Sequence, residues 1–258
     1  MSALALEDPA LLLSPALVAP QTLSHWLLAL ALNALLIALA QRLPLLTRAG
    51  WVHAGILGSF LWGCLGLRGW LVVVIYLALG SLVTRLGFRT KQSRGLAEAR
   101  GGLRGPENVW GSAGTGALLA GAAALVPSAV PLMLVGFAAS FAAKLADTFG
   151  SEIGKRWGRH TLLITTLRPV PPGTEGAISL EGTAASVLGS ALMAALMLAL
   201  GLLESSGSFL LVTLVGLAAT LIESLIGATA QQRWSWLSNE LVNGVQTAIA
   251  ALLAMAFF

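Results

Sequence analysis

The sequence predicts an all-α, polytopic membrane protein with about eight transmembrane helices and both termini on the non-cytoplasmic side. Composition comes first: 57% of the 258 residues are hydrophobic, only 10% are charged, and mean hydropathy is +0.84. A soluble domain carries roughly 25% charged residues. Second, apolar runs long enough to cross a bilayer recur along the whole chain. Third, the basic residues alternate in side. With eight spans, all but two of the 15 Lys and Arg residues fall in or at the edges of the odd-numbered loops; Arg68 falls opposite and Lys144 lies within a span. Cytoplasmic loops carry the excess of Lys and Arg, so the odd-numbered loops are expected to face the cytoplasm.

The spans are read as 24–42, 51–67, 69–87, 109–126, 129–147, 182–203, 208–229 and 240–258. Residues 1–23 are read as an N-terminal interfacial segment, because the apolar stretch 9–20 is short and carries Pro15 and Pro20. Glu7-Asp8 precede that stretch without a basic region, so neither a secretory signal nor a transit peptide is expected. Residues 24–258 are read as a single membrane-embedded domain, expected to be catalytic from the polar stretches described below, with cytoplasmic loops near 88–108 and 148–181. A bacterial inner membrane, or a cyanobacterial one, is the simplest address, with the active site facing the cytoplasm.

Some chemistries are disfavoured at once. The single cysteine, Cys64, allows no intrachain disulfide and no multi-cysteine metal site. His25, His53 and His160 are scattered, with no pair at helical ligand spacing. The run Gly111-Ser112-Ala113-Gly114-Thr115-Gly116 has the look of a phosphate loop, but small residues on membrane helices usually serve close packing, and that reading is preferred. The basic stretch 85–107 reads mostly as a solvated, headgroup-binding loop. Its end, Arg104-Gly105-Pro106-Glu107-Asn108, runs straight into a span and would face a cavity at the membrane mouth.

Four polar stretches stand out. Lys144, Asp147 and Thr148 end an apolar span and share a helix face, and intramembrane ionisable groups are functional candidates by default. Glu152 and Lys155 follow. The loop after it holds Arg168, three prolines at 169, 171 and 172, and glycines 173, 176 and 182. Such backbone approaches a ligand closely and leads into a helix N-terminus that favours an anion. Glu223 lies within the seventh span, and Asn239, Glu240 and Asn243 open the eighth. These carboxylates and amides are hard-oxygen chemistry suited to Mg²⁺ that keeps waters and binds phosphates. Phosphoryl transfer to a substrate phosphate needs no histidine base, because the nucleophile is already an anion.

In order, Ala146-Asp147-Thr148-x-x-Ser151-Glu152-Ile153-Gly154, then Leu167 through Ser179, then Glu223-Ser224-x-x-Gly227-Ala228, then Asn239-Glu240-x-Val242-Asn243 resemble the motifs of the integral membrane family that includes the phytyl-phosphate kinase of plant and cyanobacterial vitamin E (tocopherol) synthesis. The resemblance runs from about residue 40 to the C-terminus. It implies phosphorylation of a prenyl monophosphate to the diphosphate, with CTP or another nucleoside triphosphate as donor and Mg²⁺ as cofactor. It also implies a fold similar to membrane CTP-using enzymes such as phosphatidate cytidylyltransferase and dolichol kinase. On that basis Asp147, Lys144 and Arg168 are expected to be catalytic, and Asp147, Glu152 and Glu223 to bind metal. Lys155, Gly173, Thr174, Glu175, Gly176, Ser179, Asn239 and Asn243 are expected to hold nucleotide or phosphate. The chain departs from the pattern by carrying Glu223 and Glu240 where Asp is expected, and Asn108-Val109-Trp110-Gly111-Ser112 matches a further family motif only loosely. A CDP-lipid-forming cytidylyltransferase is the nearest alternative, and a membrane transporter using its buried acids as ion sites is another.

Overall fold

The computed structural model describes residues 22–258; the interfacial segment predicted for 1–23 lies almost wholly outside them. Among these residues the protein is helical throughout, apart from one short hairpin. The helices are α1 (Leu23–Ala40), α2 (Arg48–Arg85), α3 (Phe88–Ser93), α4 (Pro106–Leu125), α5 (Val130–Trp157), α6 (Leu180–Ala199), α7 (Ser206–Ala228), α8 (Ala230–Arg233) and α9 (Asn239–Phe257). Strands β1 (Leu162–Leu163) and β2 (Ala177–Ile178) pair antiparallel between α5 and α6.

Local chemistry sets the helix starts. The side chains of Thr22, Thr47, Ser179, Ser205 and Ser238 accept backbone N–H groups in the first turns of α1, α2, α6, α7 and α9. Each satisfies a donor that a helix N-terminus leaves unpaired. Pro106 and Pro131 occupy the first turns of α4 and α5, where a missing N–H costs nothing.

α5 is the axis of the bundle, with α2, α4, α6, α7 and α9 packed around it. Its middle reads Gly136, Ala138, Ala139, Ser140, Ala142, Ala143 and Ala146, and small side chains let neighbouring backbones approach. Gly189 on α6 shows how tight the fit is, since a Cβ there would stand 2.8 Å from the Leu145 carbonyl oxygen. Phe137 and Phe141 fill the space left by these small residues, with ring centroids 5.1 Å apart.

Among the described residues six helices (α1, α2, α5, α6, α7 and α9) are long and apolar enough to cross a membrane. The difference from the eight predicted spans has two sources. α4 opens on Pro106-Glu107-Asn108 and is rich in Gly and Ala, so its apolar character is weak. α2 carries two of the predicted spans, 51–67 and 69–87, as one 38-residue element interrupted at Gly66, where φ is +64° and ψ −161°. That region suits glycine alone. In a straight helix Gly50 and Gly80 would be about 45 Å apart. Instead both abut Arg104, Gly50 against its carbonyl oxygen and Gly80 against its guanidinium, so α2 doubles back on itself.

The other departure is at α5. The predicted span stopped at 147, and the loop 148–181 followed; the helix instead continues ten residues further, through Trp157. Its polar end is stable as helix because Thr148, Glu152 and Lys155 all find partners there.

Candidate functional site

α5, α7 and α9 are tied together at one carbonyl. Ala143 O on α5 accepts from Thr220 Oγ1 of α7 at 3.3 Å and from Gln246 Nε2 of α9 at 3.1 Å, and Gln246 also donates to Thr220 Oγ1 at 3.2 Å. One helical turn from this tie toward the loop end stand Asp147 on α5, Glu223 on α7 and Asn243 on α9. Lys144 joins two of them. Its ammonium pairs with Asp147 and donates to Asn243 Oδ1 at 2.9 Å. Lys144 and Asp147, whose spacing puts them on one helix face, are thus paired, and the pair is bonded to a third helix.

A second polar group lies farther along α5. Glu152, 2% exposed, is ion-paired with the wholly buried Lys91 of α3, which also donates to the Thr84 carbonyl at 2.7 Å. Lys155 donates to Glu98 Oε1 at 2.8 Å and lies 3.9 Å from Glu152. This network straps the segment 88–104 across the end of the bundle. Burial alone would raise the Glu98 carboxyl, but Lys155 outweighs it and holds Glu98 below the usual carboxylate range.

The glycine loop forms another wall, which meets the strap where a Cβ on Gly173 would stand 2.7 Å from Leu96 Cδ2. β1 and β2 close it, and Gly173 (φ +85°) and Gly176 (φ +75°) adopt the left-handed backbone. A Cβ on Gly176 would stand 2.6 Å from the Ser224 carbonyl oxygen of α7, so the loop lies directly on that helix. Ser179 caps α6, accepting from Gly182 N at 3.1 Å, and Thr174 Oγ1 donates to the Pro171 carbonyl at 2.8 Å. Desolvation raises the Glu175 carboxyl above its ordinary range; Lys155 opposes this, while Asp147 and Glu98 add to it.

Between these walls is a cleft of about 530 Å³. Of the residues picked out from sequence, Lys144, Asp147, Glu152, Lys155, Gly173 to Gly176, Ser179, Glu223, Asn239 and Asn243 all line it. Arg168 does not: it is exposed on the turn after β1, where Leu167 takes φ +53°, and points at no partner in the cleft. The metal trio also separates. Asp147 and Glu223 both line the cleft one turn from the Ala143 tie, whereas Glu152 is committed to Lys91 and Lys155. Among the described residues no three His, Cys, Asp or Glu side chains converge as a metal cage.

The cleft also contains residues that the sequence did not single out. Glu98 and Arg100 come from the basic stretch, which looks solvated because its charges are so dense. Asn108, whose match to a family motif is loose, accepts from Arg100 Nη2 at 2.9 Å and donates to Glu240 Oε1 at 3.2 Å, linking α4 to α9. The turn Arg104–Asn108, expected at a membrane mouth, does line the cleft at both ends.

Fold and cleft together define a multi-pass helical membrane protein with an ionisable cavity at one end of its bundle. The chain belongs to the integral membrane protein family DUF92, whose model matches residues 31–251. It is 51% identical to the uncharacterized membrane protein sll0875 of the cyanobacterium Synechocystis, over 89% of this chain and 90% of that one. It is 37% identical to the protein VTE6, chloroplastic, of Arabidopsis thaliana, over 89% of this chain and 71% of the relative. A more distant relative, the uncharacterized membrane protein MJ0933 of Methanocaldococcus jannaschii, is 28% identical over 92% of this chain and 96% of its own. No solved structure matches the chain.

Proposed function

We propose that this protein is a Mg²⁺-dependent prenyl-phosphate kinase of the phytyl-phosphate type, transferring a phosphoryl group from CTP or another nucleoside triphosphate. The observation that carries this reading is the convergence of Lys144, Asp147, Glu223 and Asn243 from three helices beside a glycine loop in one cleft. The four-motif resemblance and 37% identity to a chloroplast protein support it. In this reading the chain crosses the membrane eight times, α2 counting as a hairpin and α4 as a crossing, and the cleft opens to the cytoplasm beside the basic loops.

In the reaction, an oxygen of the prenyl monophosphate attacks the γ-phosphorus of the nucleotide. A new P–O bond forms as the bond to the β-phosphate oxygen breaks, and the nucleoside diphosphate leaves with the electron pair. No proton has to be removed from the nucleophile, so the protein's task is to align anions and neutralise them. Gly173, Thr174 and Gly176 would cradle nucleotide phosphates with backbone N–H groups, Glu175, Ser179 and Asn239 standing beside them. Lys155 and Lys144 would offset charge, and Asn243 would hold Lys144 in place. The hard oxygen donors of Asp147 and Glu223 suit Mg²⁺ bound partly by water and nucleotide, which needs no all-protein cage. When bound there, it would neutralise phosphate charge. Glu152 in this reading is structural, and Arg168 would act only at the periphery.

Incubating the purified protein with phytyl phosphate, each nucleotide and Mg²⁺, then weighing products by mass spectrometry, tests the proposal. Prenyl diphosphate and CDP are expected. A CDP-lipid with pyrophosphate would instead mean nucleotidyl transfer, and substrate flux into proteoliposomes without nucleotide turnover would mean transport.

A further inference from the structure

We infer that Arg104 is a preformed phosphate-binding residue of the cleft, placed to hold the monophosphate headgroup of the lipid acceptor. The lipid identity rests on the kinase reading above; the phosphate chemistry does not. Arg104 is fixed at both ends. Its backbone N–H donates to the Leu45 carbonyl at 3.1 Å and its carbonyl accepts from Thr47 N at 3.0 Å, so residue 104 is clamped to the segment before α2. Its guanidinium lies over the Tyr76 ring, 5.6 Å from the centroid, with Nη1 3.5 Å from the Tyr76 hydroxyl. The space for it exists because residue 80 is glycine: a Cβ there would stand 2.7 Å from Nη2.

The charge distribution then singles this residue out. Four cationic side chains line the cleft, and three are paired with carboxylates: Lys144 with Asp147, Lys155 with Glu98, and Arg100 with Glu107. Among the described residues Arg104 has no carboxylate partner. Arg104 is half-buried and lines the cleft, and a guanidinium held on an aromatic ring is a planar donor group suited to phosphate. Arg104 is carried against α2 and α4, with Leu103 beside it on the cleft wall, whereas the glycine loop is carried against α7. Phosphates held at these two places would share one cavity. The apolar α2–α4 side would leave the attached hydrocarbon among helices rather than in water.

The test measures binding without turnover, to the full-length protein in lipid nanodiscs. Phytyl monophosphate, phytol and CTP are titrated separately against wild type, Arg104→Ala and Gly80→Ala. Arg104→Ala is expected to weaken phytyl monophosphate by about 10- to 100-fold, the range of a charge-assisted hydrogen bond, while leaving phytol and CTP unchanged. Gly80→Ala keeps the arginine but displaces its flexible head, so a smaller loss in the same direction is expected at wild-type thermal stability. If wild type does not prefer phytyl monophosphate to phytol, or if that preference survives in Arg104→Ala, the site is overturned. A loss confined to CTP would assign Arg104 to the nucleotide and overturn the acceptor site. Arg104-dependent binding in a protein that makes no prenyl diphosphate would leave the phosphate site standing while the kinase reading falls.

Discussion

Gln246 on α9 reaches the backbone carbonyl of Ala143 on α5, and this bond, made in the middle of the bundle, sets the depth at which the cleft residues meet. The side chain is completely buried and spans to Thr220 of α7 as well. Three helices are thereby held in register one turn from Asp147, Glu223 and Asn243. Polar side chains act as such ties in membrane bundles because lipid offers them no other partner.

Replacing Gln246 with Leu is therefore expected to cost about 1 kcal/mol, the scale measured for interhelical hydrogen bonds in membranes. The readout is the thermal unfolding midpoint in detergent. Thr220→Val should be non-additive with it, since both side chains serve one carbonyl. Strictly additive losses would mean that the two bonds are energetically separate.

Lys91 and Glu152 form a buried ion pair between α3 and α5. Lys91→Met leaves the Glu152 carboxylate buried beside a more distant Lys155, at 3.9 Å. Removing one partner of a buried pair typically costs about 3–5 kcal/mol, so this variant should unfold at a lower temperature. Adding Glu152→Met should restore much of the loss, because two apolar side chains need no partner. A double variant no more stable than the single one would show that the pair is not the reason for the loss.

On the kinase reading proposed above, Asp147→Asn is expected to lower prenyl-diphosphate formation by about 100-fold or more, the scale of losing a transition-state electrostatic contact. The variant should still reach the membrane folded, because Lys144 keeps its bond to Asn243. Full turnover in the variant would remove Asp147 from the chemistry.

The Glu98–Lys155 bond predicts an acid-sensitive strap. Glu98 is held below the usual carboxylate range. A depressed folded-state pKa contributes stability that is present above the unfolded value and lost as pH falls through the folded one. The groups acting on Glu98 are Lys155 and, more weakly, Glu152 and Lys144. Protection of residues 94–100 from backbone hydrogen exchange, relative to the intrinsic rate at each pH, should therefore fall reversibly once the pH drops below the ordinary carboxylate range. In Glu98→Gln, protection should be low already at neutral pH and show no such step.

The helical spans were readable because apolar character is a local property of the chain, summed over about twenty neighbouring residues. Most cleft residues were readable for a related reason: Asp147, Glu223 and Asn243 are polar where their neighbours are apolar, and that contrast needs no partner to be seen. Lys91 and Glu98 gave no such contrast, being charged residues in a charged loop. Their roles appear only when α3 and the strap fold back onto α5. Arg168 failed in the opposite way. It stands amid a motif, yet the β1–β2 hairpin turns it outward.

By itself, then, the sequence determined that this is a multi-pass helical membrane protein and which polar residues its apolar segments carry. The tertiary structure alone decided that α2 reverses at Gly66, that Glu152 belongs to Lys91, and that Arg104 lines the cleft with its guanidinium against Tyr76 and Gly80. The reason is physical. Membrane insertion depends on the transfer free energy of each segment, which composition encodes, whereas ion pairing depends on which distant segments meet after helices pack, and spacing along the chain does not encode that.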